Sequence, residues 1–149
     1  MAAIDITAPM QLTLPQLRGG QLSVASLQGS PAVLVFFATW AERAELLLPQ
    51  AEQLARDPDV KVVAVALDED LRFVQPFVER FALTIPVLLD GGGASTEKLL
   101  PLKVVPTVVV LDADGRVTEV FEEVRRNGLE RLKATVRKLK RREASAGPP

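Results

Sequence analysis

Few side chains of this sequence could carry covalent chemistry. The 149 residues include no cysteine, no histidine and no tyrosine. A thiolate nucleophile, a disulfide and a sulfur ligand for a metal are therefore excluded, and so is the usual general base near neutral pH. Serine, threonine, lysine and the carboxylates remain, but they form no recognisable catalytic constellation. We therefore predict no catalytic residue, no cofactor and no metal.

The densest group of possible metal ligands is the run Asp68, Glu69 and Asp70. It follows an apolar segment that predicts a strand, and open α/β sheets bind ligands at the carboxyl ends of their strands. Consecutive side chains point in different directions, however, so we do not expect three carboxylates to converge on one cation. We predict instead that Asp70 caps the helix that follows.

The overall charge and hydropathy exclude two classes of partner. A formal net charge of −1 argues against nucleic acid, because phosphate binding requires a basic surface. The longest apolar run, Pro31 to Ala38, is much shorter than the ~20 residues that a membrane-spanning helix needs, and Met1 to Asp5 carries no basic run. We therefore predict no nucleic-acid binding, no membrane insertion and a cytoplasmic location. A periplasmic protein without its leader is the alternative.

The elements that must position any site begin with a strand, a helix and a second strand. Val33 to Phe37 is a continuous apolar run, typical of a strand buried on both faces. Apolar residues then recur at helical spacing from Ala41 to Arg56, with Pro49 expected to kink that helix. Val60 to Leu67 is a second apolar strand. This order predicts a βαβ unit with parallel strands and a right-handed crossover.

The remaining segments predict an α/β domain with one hairpin at its start and another near its end. The first part contains an N-terminal strand pair within Leu12 to Leu22, a helix from Leu71 to Phe81 that Pro76 interrupts or restarts, a short strand from Pro86 to Leu89, a flexible loop at Gly91 to Gly93 and a short helix from Thr96 to Leu100. The second part contains strands from Thr107 to Leu111 and from Arg116 to Phe121, joined by a turn at Asp112 to Gly115, and a helix from Gly128 to Arg142 capped by Asn127. We expect one domain over residues 1–143 and a flexible tail over residues 144–149.

Two segments of the sequence are similar to those of a known family. Phe37-Ala38-Thr39-Trp40, followed by a helix that contains Pro49, resembles the active-site segment of TlpA-type thiol–disulfide oxidoreductases, which are relatives of thioredoxin. Val104-Val105-Pro106-Thr107, followed by an apolar strand, resembles a second segment of the same proteins. The resemblance extends from Ala8 to Phe121. It implies a thioredoxin fold, with a central mixed β-sheet flanked by helices and an N-terminal β-hairpin extension.

Alignment on Trp40 places the two redox cysteines of that family at Ala41 and Ala44. A cysteine at a helix N-terminus gains a low pKa and attacks as a thiolate, and a second cysteine one turn later resolves the mixed disulfide. The resemblance also places a glutamate that assists proton transfer at Leu47. Since none of these three residues supplies the missing group, neither thiol exchange nor thiol peroxidase activity is possible in this chain.

The resemblance further implies a cis peptide bond between Val105 and Pro106, opposite the start of the helix. The sequence leaves two interpretations of this proline open. It keeps a groove in which an extended segment of a partner pairs with the backbone, or it only shapes the turn into the next strand.

Two hypotheses about function follow from these residues. The first is a non-catalytic TlpA-like domain that binds a protein or an extended peptide in a groove formed by Trp40, Glu42, Arg43, Val105 and Pro106. Tryptophan is over-represented among the residues that contribute most to binding, which favours a role for Trp40. The second hypothesis is a cysteine-free variant of an active thiol–disulfide oxidoreductase. The sequence predicts neither the identity of a partner nor the oligomeric state.

Overall fold

The structure, a computed structural model, describes residues 6–122 and 128–145. Its strands are β1 (Thr13–Pro15), β2 (Gln21–Ser23), β3 (Ala32–Phe37), β4 (Lys61–Ala66), β5 (Val87–Leu89), β6 (Thr107–Leu111) and β7 (Val117–Phe121). Its helices are α1 (Ala44–Leu54), α2 (Val74–Arg80), α3 (Ala94–Leu99) and α4 (Gly128–Ser145), with short 3-10 segments at Val24–Leu27, Leu71–Phe73 and Gly91–Gly93.

Five of the strands form one mixed sheet in the order β5-β4-β3-β6-β7. The central strand β3 is parallel to β4 and antiparallel to β6, and β4 is parallel to β5. The predicted βαβ unit is therefore confirmed. Strands β1 and β2 form a separate antiparallel pair at the N-terminus. This arrangement confirms the predicted thioredoxin-like α/β fold with its N-terminal hairpin.

The central strand β3 shows why its sequence is apolar at every position. All six of its residues are buried, because each face of the sheet is covered. Val33, Val35 and Phe37 pack in the cluster that includes buried residues of α1, α2 and α4. The alternate residues point to the opposite face, where they pack against the N-terminal hairpin and the segment that follows α3. The period of two along a strand produces this division.

Helix α1 begins three residues later than the sequence predicts. The backbone N–H of Ala41 donates to the carbonyl of Ala38 at 3.1 Å, and that of Ala44 donates to the carbonyl of Ala41 at 3.0 Å. These are turns that precede the helix, and Arg43 is the N-cap residue without a side-chain capping bond. Pro49 lies inside the helix, which runs without a break to Leu54.

Several other helices also begin or end at residues that differ from the predicted ones. Pro76 does not interrupt a helix, because a 3-10 turn precedes it and α2 starts at Val74; proline is tolerated in the first turn, where no N–H bond is lost. The predicted loop at Gly91–Gly93 is a 3-10 turn, and α3 starts at Ala94 rather than Thr96. Helix α4 extends to Ser145 instead of Arg142. The predicted cap Asn127 lies outside the described residues.

Candidate functional site

Strand register brings the predicted site segments to one edge of the sheet. Phe37 of β3 is aligned with Ala66 of β4, and Phe36 is aligned with Thr107 of β6. The carboxyl ends of β3 and β4 therefore meet the start of β6. The segments that follow β3 and β4 and precede β6 lie at this edge, which is where open α/β sheets bind ligands.

The three positions that match the redox groups of the resembled family are filled by core residues. Ala41, Ala44 and Leu47 are all buried and belong to the same apolar cluster as Phe37. We call these three residues the apolar plug. The partly buried side chain of Val105, from the segment before β6, packs against this cluster. The side chains of the plug contain only carbon and hydrogen, so none of them can act as a nucleophile or transfer a proton.

Trp40 has the opposite environment, although it directly precedes the plug. Trp40 is 74% exposed, the largest fraction among the exposed large hydrophobic residues in the described part of the chain. Glu42 and Arg43, which lie between the two alanines, are also exposed, as the sequence predicts. An exposed indole of this size offers apolar contact area to a partner without being needed for packing.

The segment before β6 presents backbone rather than side chains. The peptide bond between Val105 and Pro106 is cis, and the ring of Pro106 is buried. The carbonyl of Val104 accepts a hydrogen bond from the Thr107 hydroxyl at 2.7 Å. Within the described ranges 6–122 and 128–145, the backbone N–H and C=O of Val105 form no hydrogen bond. One backbone donor and one backbone acceptor of this residue are therefore unpaired in the described part of the chain.

A solvent-open cavity of about 360 Å³ lies beside Trp40. Its lining residues are Trp40, Leu67, Asp68, Glu69, Asp70, Phe73 and Gly92. We call this the Trp40 cavity. It connects Trp40 with the segment after β4, and neither Val105 nor Pro106 belongs to it. The predicted groove residues therefore lie in two places. Trp40 lines the Trp40 cavity and directly precedes the plug in the sequence, whereas Val105 and Pro106 lie outside the cavity.

The sequence interpretation considered Asp68 only as a possible metal ligand and missed its contact with Thr39. Asp68 is 2% exposed. Its carboxylate accepts the Thr39 backbone N–H at 3.0 and 3.1 Å and the Thr39 hydroxyl at 2.5 Å. These bonds hold the turn after β3 against the turn after β4. A usable signal was present, because both residues directly follow neighbouring parallel strands.

Asp70 is confirmed as a cap, since its carboxylate accepts the Arg72 backbone N–H at 3.0 Å at the start of the 3-10 turn. It also forms an ion pair with the Arg72 guanidinium at 2.7 Å. The side-chain hydrogen bond from Arg72, followed by the backbone one, lowers the pKa of Asp70 to about 2. Asp70 is therefore ionised and already paired at neutral pH.

Phe73 completes the cavity and had not been singled out from the sequence. It ends the 3-10 turn, and 61% of its side chain is exposed. Among the residues that the structure describes, no group of three or more aspartate or glutamate side chains is arranged to hold a metal ion. None of the described helices is both long enough and apolar enough to span a membrane.

Comparison with known proteins identifies the family. A sequence model of the family named Redoxin matches residues 5–137. The chain belongs to the redoxin family. The thiol–disulfide oxidoreductase ResA of Bacillus thuringiensis is 30% identical over 108 residues, which are 69% of this chain and 61% of ResA. This redoxin domain thus spans about three fifths of the length of that relative.

Three further comparisons extend the similarity to Mycobacterium tuberculosis and to solved structures. The soluble secreted antigen MPT53 of that organism is 32% identical over 120 residues, 79% of this chain and 68% of the antigen. The structure of a secreted M. tuberculosis disulfide oxidoreductase homologous to DsbE has a TM-score of 0.75 and 30% identity, and covers 87% of this chain and 96% of its own. A candidate DsbE of Chlorobium tepidum gives a TM-score of 0.83 at 23% identity, over 92% of this chain and 99% of its own, which supports the fold.

These relatives correct one prediction. The cytoplasmic location expected from the N-terminal residues is wrong, because the similar proteins from M. tuberculosis are secreted proteins by name. The relatives point to a place outside the cytoplasm. The composition of the N-terminal residues was therefore not a sound basis for placing this redoxin domain inside the cell.

Proposed function

We propose that this redoxin domain is a non-catalytic binding module that pairs an extended protein segment with the backbone of Val105. The observation that carries the proposal is the contrast at one edge of the sheet. The redox positions Ala41 and Ala44 hold no sulfur and are buried, whereas the donor and acceptor of Val105 are unpaired within the described residues.

The geometry of Val105 suits β-strand addition. It lies two residues before Thr107, where pairing between β6 and β3 begins. In an antiparallel pair, one residue can exchange both an N–H···O and an O···H–N bond with the residue opposite it. A bound segment would thus extend the sheet by a short bridge, and such main-chain bonds give affinity with little sequence preference.

Exposed apolar side chains beside this backbone would add to the binding energy. Trp40 is exposed on the plug side, and the side chain of Val104, which directly precedes Val105, is 45% exposed. Tryptophan commonly contributes most among the residues of an interface. Neither side chain stabilises the core of the free domain, which supports a role for both in contact with a partner.

The relatives suggest a second candidate, a variant of an active thiol–disulfide oxidoreductase. A feature of the backbone favours it: the Ala44 N–H to Ala41 carbonyl bond closes a turn. The α-carbons across such a turn are less than about 7 Å apart, within reach of a disulfide. In A41C/A44C, robust insulin reduction would support this candidate. A double variant that forms the disulfide but does not reduce insulin would leave binding as the function.

The binding proposal is tested by NMR titration of the ¹⁵N-labelled domain with a library of capped heptapeptides of randomised sequence. We expect amide shifts at Val105 and at its neighbours, and a shift of the Trp40 indole. The variant W40A should weaken binding at least fivefold. L46A is the matched control, because Leu46 is also exposed and lies on α1. Shifts that avoid Val105, or equal losses in both variants, would contradict the proposal.

A further inference from the structure

The Trp40 cavity is not explained by backbone pairing at Val105, since Val105 is not among its lining residues. We propose that this cavity receives a cationic side chain, arginine or lysine, of the bound segment. This proposal rests on the proposed binding of an extended segment. Backbone pairing at Val105 leaves the side-chain chemistry of the partner open, and a cationic side chain in the Trp40 cavity would define it.

Charge at the cavity is the first argument. Three carboxylates line it, and Asp70 is already paired with Arg72. Among the described residues, Asp68 and Glu69 form no ion pair within 4 Å. Two acidic residues that line the cavity are therefore without a paired cation in the described part of the chain, and charge complementarity favours a positively charged guest.

The burial of Asp68 strengthens this argument. Removing an ionised carboxylate from water is costly unless hydrogen bonds and an opposite charge compensate for it. Thr39 supplies hydrogen bonds to both oxygens of the Asp68 carboxylate. No described cation supplies the opposite charge. A guest cation would provide the missing compensation.

The aromatic side chains give the second argument. Trp40 and Phe73 both line the cavity with largely exposed rings. The faces of aromatic rings attract ammonium and guanidinium groups, and tryptophan does so most strongly. A neutral apolar guest would use the rings but would leave the two carboxylates unpaired. A cation uses both features, so the combination favours it.

The test uses the single tryptophan of the chain as a fluorescence reporter of this cavity. The probes are a capped heptapeptide with a central arginine, Ac-Ala-Val-Ser-Arg-Ser-Val-Ala-NH2, and its citrulline counterpart, which has a similar shape but no charge. Nα-acetyl-arginine amide and Nα-acetyl-citrulline amide probe the cavity alone. We expect the arginine probes to bind about five- to thirtyfold more tightly than the citrulline probes.

Variants assign the effect to the cavity. E69Q and F73A should each reduce the preference for arginine at least threefold, and D68N should do the same if its fold is retained by circular dichroism. D59N is the matched control, because Asp59 is an exposed acid before β4, at the opposite end of the sheet. It should leave the preference unchanged.

The outcomes separate the inference from the function on which it rests. Equal binding of the arginine and citrulline peptides, with shifts at Val105, would overturn the cationic guest and keep the binding module. Tighter binding of Nα-acetyl-arginine amide, when neither peptide shifts Val105, would keep the cavity and overturn backbone pairing. If Nα-acetyl-arginine amide shows no preference over its citrulline counterpart, the inference is wrong.

Discussion

The apolar plug and the Trp40 cavity lie side by side at one edge of the sheet, but they differ in almost every physical property. The plug consists of three buried side chains without a polar atom. The cavity combines two exposed aromatic rings with three carboxylates. They are joined along the chain at one point, where Trp40 directly precedes Ala41, while the other cavity residues follow β4 and β5.

The difference teaches that the positions matching the redox groups of the related proteins belong to the core of this domain, whereas the neighbouring cavity is open to solvent. A reactive group needs an attacking atom, and in the plug that place is taken by methyl and isobutyl groups packed as core. These residues now stabilise the fold. The cavity instead exposes the rings of Trp40 and Phe73, and its acidic residues Asp68 and Glu69 form no ion pair among the described residues.

The largest effect is expected from Leu47, which is fully buried in the plug. Leu47→Ala should lower the free energy of unfolding by about 2–5 kcal/mol, because the removed atoms leave a cavity in a packed cluster. The neighbouring Leu46 is 46% exposed, and Leu46→Ala should change that free energy by less than about 1 kcal/mol. Urea unfolding of the two variants measures both values. Similar losses would show that the plug is not part of the core.

A smaller effect is expected where the two regions join, at the Thr39–Asp68 contact. Asp68→Asn keeps one acceptor oxygen but removes the charge, so we expect a loss of about 1–3 kcal/mol of stability. Asp70→Asn affects a half-buried acid of the same run and should cost less. Thr39→Val and Asp68→Asn, measured singly and together by urea unfolding, form a double-mutant cycle. If the losses in the free energy of unfolding are additive, the two side chains do not stabilise one another.

The fold was largely predictable because its signals are local. The apolar run at Val33–Phe37 predicted β3, which the structure extends by one residue to Ala32. The start of α1 was predicted too early, at Ala41. Apolar residues three apart fit a turn followed by a helix as well as they fit a helix, so periodicity alone does not locate the first helical residue.

The cavity could not be predicted in the same way, because it depends on contacts between distant residues. Thr39 and Asp68 meet only because β3 and β4 pair in a particular register. Phe73 ends a 3-10 turn at a place where the sequence predicts a helix. The sequence placed Asp68, Glu69 and Asp70 at the correct end of a strand but offered no reason to join them to Trp40.

The smallest effect is expected on the pKa of Asp70, which lines the Trp40 cavity. Its pKa of about 2 lies below the ordinary value of about 3.9. The ion pair with Arg72 is therefore complete above pH 4 and is lost as the pH falls toward 2. In Arg72→Ala, the midpoint of the Asp70 carboxyl ¹³C shift should rise toward its ordinary value, because the side-chain donor that lowers the pKa is gone.

The same variant tests whether Arg72 competes with an incoming cation. With Arg72 removed, Asp70 becomes a third unpaired carboxylate at the Trp40 cavity, so the arginine heptapeptide should bind more tightly than to the parent domain. Leu46→Ala is the control and should alter neither the Asp70 midpoint nor the affinity. If the midpoint rises but the affinity does not, Asp70 caps its turn without contributing to the cavity, and the guest cation depends on Asp68 and Glu69 alone.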